Sequence, residues 1–151
     1  MKNKSRNLKF RVWSEDQKTY DYKFLYNSIG DFYVNTRGEV FSDFGNSVAP
    51  EVRQENFIVE QYAGIRDKNN KEIYEGDVVS YKTRFEMKVL GETKEKIVEI
   101  KGVVCFEHGS FVIKYGSQSQ TFRDFFDDPE VFNVPYDLEV LGNIHENPEL
   151  L

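Results

Sequence analysis

Cysteine is nearly absent. Cys105 is the one thiol in 151 residues, which excludes an internal disulfide framework and a cysteine-based zinc site and points to a reducing compartment. A chain of this length buries about 70% of its unfolded surface, so one core is enough to hold it together. Long apolar runs are missing too: none approaches the roughly 18 residues that span a bilayer, and the first residues carry no apolar stretch of the kind that directs export. A soluble, cytoplasmic protein with no membrane partner is expected. Neither a dinucleotide fingerprint nor a Walker loop occurs, so no cofactor is expected. Helical periodicity is scarce as well, because no segment keeps an apolar i, i+3, i+4 pattern over three turns.

What the chain does have is aromatic side chains, with 13 Phe, 9 Tyr and one Trp, and short alternating runs that read as strands. In Leu8–Trp13, Leu8, Phe10 and Val12 point one way, and Lys9, Arg11 and Trp13 the other. Strands follow at Tyr20–Tyr26, Phe32–Val34, Glu39–Phe41, Asn56–Tyr62, Val78–Tyr81, Ile97–Ile100, Val103–Phe106, Phe111–Tyr115 and Leu138–Ile144. Asn35–Gly38 and Glu107–Ser110 read as hairpin turns, and the charged stretch Gly91–Lys96 as a long exposed loop. Thr121 is expected to cap a short helix that Pro129 ends, and Asn147-Pro148 to open a helical turn.

Glycines at 76, 102 and 142 suit the corners of a small, partly open barrel. The fold class expected is therefore mainly β: a small barrel over residues 62–151, with added N-terminal strands and a short C-terminal helical turn. The polar stretch Gly45–Pro50 marks an internal border, giving residues 1–50 as strands packed on the barrel and 51–151 as the barrel domain. A single continuous domain over 1–151 is the alternative. Phe10, Val12, Val34 and Phe41 are the residues the N-terminal strands are expected to bury.

Charge is uneven. Residues 1–75 hold 12 basic and 12 acidic side chains, residues 76–151 hold 8 and 14, and no acid precedes Glu15. The arm Lys2, Lys4, Arg6, Lys9 and Arg11 could neutralise phosphates, and Trp13, Tyr22 and Tyr26 could stack bases beside it. Solubilising tails have the same composition, and the net charge of −6 opposes approach to nucleic acid. Lys9, Arg11, Trp13, Tyr22 and Tyr26 are the candidate interaction surface, for protein or for nucleic acid.

Catalysis finds little support. Cys105 sits mid-strand between Val104 and Phe106, where a thiol acts as a small hydrophobe. Asp124, Asp127, Asp128 and Glu130 crowd together as hard-cation ligands would, but Phe125 and Phe126 stand where a calcium loop is polar, so a solvated acidic face is the expectation. No catalytic and no metal residues are assigned. The aromatic excess over core volume points instead to self-association or to a partner protein.

Three motifs carry a resemblance: Lys9-Phe10-Arg11-Val12-Trp13, the run from Gln61 to Val79 (QYAGIRDKNNKEIYEGDVV), and the close GNIHENPELL from Gly142 to Leu151. Together they resemble the YopX family of phage and prophage proteins. Asn69-Asn70 departs from the Asn-Gly common in that family, and Ser14 from the acid that follows the tryptophan. The resemblance implies an SH3-like barrel, a viral or prophage origin in a bacterial cytoplasm, and no activity, since the family supplies no catalytic residues to carry over. It leads to the expectation of a non-catalytic accessory protein, homo-oligomeric or bound to a host or phage protein, with a nucleic-acid role as the alternative. Gly64 and Gly76 are expected to bracket a hairpin across which Tyr62 and Tyr74 pair, with Asn70 in positive φ.

Overall fold

The computed structural model describes residues 8–20, 32–34, 37, 39–42, 52–54, 56–89, 92–122 and 137–151. Eleven strands run in the order β1 Phe10–Ser14, β2 Phe32–Val34, β3 Val40–Ser42, β4 Val52–Gln54, β5 Phe57–Arg66, β6 Glu72–Tyr74, β7 Asp77–Val89, β8 Glu92–Glu107, β9 Ser110–Tyr115, β10 Gln118–Thr121 and β11 Glu139–Asn143, before a 3₁₀ turn at Pro148–Leu150. The mainly β expectation holds, and every strand pair is antiparallel. The chain divides into two compact units, residues 1–61 and 62–151. Among the described residues no helix is long and apolar enough to cross a membrane.

In the first unit, β1 pairs with residues 57–61 of β5, and β2, β3 and β4 form a three-stranded meander; the turn expected at Asn35–Gly38 lies, apart from Arg37, outside the described residues. In the second, β10-β9-β8-β7-β11 form a five-stranded ladder, while β6 folds back on the end of β5. The core of the second unit gathers Ile73, Val79, Tyr81, Val104, Phe111, Ile113, Phe122 and Leu138, with Ala63, Ile65, Ile100 and Val140 packed on it. Alternation places Val79, Tyr81, Val104 and Ile113 on one face of the ladder.

Local turn chemistry agrees with the sequence. His108 (φ 52°) and Gly109 (φ 82°) form a two-residue turn with both φ positive between β8 and β9, the geometry whose twist matches paired strands. Asn70 has φ 66°, as the departure from Asn-Gly required. Tyr62 and Tyr74 are register partners with ring centroids 5.5 Å apart, and Gly64 (φ 90°) sits in the bulge that shifts this pairing before Arg66 meets Glu72.

Three expectations are corrected. Residues 92–96 of the stretch expected as a loop are strand: β8 begins at Glu92 and pairs with β7 out to Val89, so the two strands form a long ribbon, and Gly91 lies outside the described residues. Mixed charge suits a ribbon wet on both faces, and Lys82 opposite Glu99 is a favourable cross-strand pair. Ile97–Ile100 and Val103–Phe106 are not separate strands: both belong to β8, and Gly102 between them lies where a Cβ would fall 2.6 Å from the Lys114 carbonyl oxygen. Phe10 is 45% exposed rather than buried, whereas Val12 on the same face is buried as expected and Trp13 on the opposite face is 1% exposed; of Val34 and Phe41 only the backbone is described. The ladder does not close into a barrel: among the described residues β10 and β11 are its two edges. The outer edge of β11 is capped rather than paired: the Val140 amide donates to Asp67, and the Leu138 carbonyl accepts from the Lys68 amide. The expected helix after Thr121 lies, beyond Phe122, outside the described residues.

The closing segment is held by a small set of bonds. Asn143 accepts the His145 and Glu146 amides at 2.9 Å each, and Asn147 Oδ1 accepts the Asn143 amide at 3.3 Å. This packing leaves no room at Gly142, where a Cβ would come 2.3 Å from Asn147 Oδ1 and 2.9 Å from Leu150 Cδ1. Gly142→Ala should therefore cost about 1–3 kcal/mol in urea unfolding, the usual penalty of overpacking, with an unchanged m-value.

Candidate functional site

Two of the five expected interaction residues, Arg11 and Trp13, meet in one cluster in the first unit. Antiparallel register sets Arg11 opposite Glu60 and Trp13 opposite Ile58, so all four share a face. Glu60 Oε2 accepts Arg11 Nε at 2.6 Å and the Tyr20 hydroxyl at 2.9 Å. The Arg11 guanidinium lies 4.5 Å from the centre of the Tyr20 ring, and that ring meets Trp13 edge-on at 4.9 Å. The Glu60 side chain is 4% exposed and that of Arg11 21%. Ser14 begins a tight turn that brings Tyr20 back, with the Ser14 amide bonded to the Thr19 carbonyl and Lys18 at φ 52°.

Arg11 engages a buried carboxylate and an aromatic face, and Trp13 is covered, so this pair does not form an exposed base-stacking surface; alternation showed the shared face but not what covers it. Lys9 is half-buried, and Tyr22 and Tyr26 lie outside the described residues. Sequence reasoning missed Glu60 and Tyr20, because a register linking residues 49 apart has no local signal. A charged residue and an aromatic two apart on β1, with an acid inside β5, was the pattern to seek.

The central motif of the second unit is occupied in the same way. Asp67, buried, accepts the Asn69 and Lys71 amides on Oδ1 at 2.8 Å each and the Val140 amide on Oδ2 at 3.1 Å. Arg66 pairs with Glu72, and Lys68 with Glu139, which raises the Lys68 ammonium pKa. Asp77 is buried and accepts the Tyr74 amide at 2.8 Å, while Gly76 (φ 77°) donates to Val104 and accepts from Ile144.

Burial raises the Cys105 thiol pKa, Glu107 adds to the effect, and Lys114 opposes it; the thiol's contact is the Val103 carbonyl at 3.8 Å. Burial likewise raises Tyr81, with Tyr115 reinforcing it. No group of three or more metal-ligating side chains occurs among the described residues, and Asp124–Glu130 lie outside them.

Two outcomes follow. Glu60→Ala should destabilise the chain by about 2–3 kcal/mol, below the 3–5 of a fully enclosed pair because Arg11 keeps contact with water, and a double-mutant cycle with Arg11→Ala should show coupling. Alkylation of Cys105 by iodoacetamide should rise with pH through an inflection above the value of about 8.5 for free cysteine, because the thiolate is the nucleophile and here it is disfavoured.

No curated protein matches the chain. Among solved structures, EF1440 from Enterococcus faecalis is 22% identical with a TM-score of 0.52, over 97% of this chain and 99% of that one. Protein yopX from Bacillus subtilis is 18% identical with a TM-score of 0.48, over 94% of this chain and 96% of that one. The former likeness is one of fold. The family model described as YopX protein matches residues 9–151, which takes in the N-terminal, central and closing motifs whose residues are bonded as described above, and the chain belongs to the YopX family.

Proposed function

We propose that this chain is a non-catalytic binding and self-assembly module of a phage or prophage, acting as a homo-oligomer in the bacterial cytoplasm. The observation that carries the reading is a division of labour. The chemistry-bearing side chains of the family motifs are engaged in holding the backbone, while large apolar side chains stand exposed on the strands. Phe106 is 48% and Ile97 67% exposed in the second unit, and Phe10 lies open in the first. Phe106 is braced edge-on against Phe111 at 5.1 Å, so its ring is presented from a fixed base. Rigid aromatics of this kind anchor protein interfaces at low entropic cost. The SH3-like description of the second unit belongs to the same reading, supported by five antiparallel strands with glycines at tight points within β8 and β11.

Light scattering coupled to size exclusion tests it. A discrete oligomer that persists at high salt is expected, and Phe106→Glu should shift it toward monomer. A monomer at all concentrations contradicts self-association, and an assembly that dissolves steeply with salt favours phosphate or charge contacts instead.

A further inference from the structure

We draw no further inference here: the strongest candidate, the outer edge of the β7–β8 ribbon over residues 93–101 of β8, where Ile97 is 67% exposed, carries nothing because nothing in the structure shows what covers it, and two copies paired antiparallel about Ile97 would set Glu95 against Glu99.

Discussion

The carboxylate of Asp67 is the contact on which the second unit depends. It closes the turn between β5 and β6 by accepting two amides of that turn, and it reaches across to the edge strand β11 through Val140. Backbone amides at a turn and at a sheet edge would otherwise be orphaned, and a buried orphan costs about 1–3 kcal/mol. A charged acceptor strengthens each bond roughly twofold over a neutral one. One side chain thereby fixes a turn, caps an edge and joins segments 73 residues apart.

Glu60 applies the same physics in the first unit. A buried carboxylate there gathers a guanidinium and a hydroxyl, and the aromatic rings of Tyr20 and Trp13 shield it. In both units a buried carboxylate is tied to several partners, so neither could be withdrawn without leaving donors unpaired. Asn143 and Asn147 play a neutral version of this part at the closing turn.

Local chemistry was legible in the chain and long-range register was not. The His108-Gly109 turn, the positive φ of Asn70, the Tyr62–Tyr74 pair and the Asn147-Pro148 turn each depend on a few neighbouring residues, and each was readable. The length of β7 and β8 was not, because Glu92–Lys96 has the composition of a loop and becomes strand only by pairing with β7. Phe10 lies outside and Trp13 inside for a related reason, although Val12, on Phe10's face, is buried as expected. Alternation divides a strand into two faces, but the face that is buried depends on what packs there, here Tyr20 and the Glu60 ion pair. Glu60 itself gave no signal, since an acid within a strand acquires meaning only once its partner strand is known.

The most direct test of this architectural account is urea unfolding of the full chain carrying Asp67→Ala, followed by circular dichroism and by amide exchange at Val140. The account predicts a fall in the unfolding midpoint equivalent to about 3 kcal/mol or more, as three amides lose their acceptor, with protection lost at Val140. An unchanged midpoint, with Val140 still protected, would contradict it.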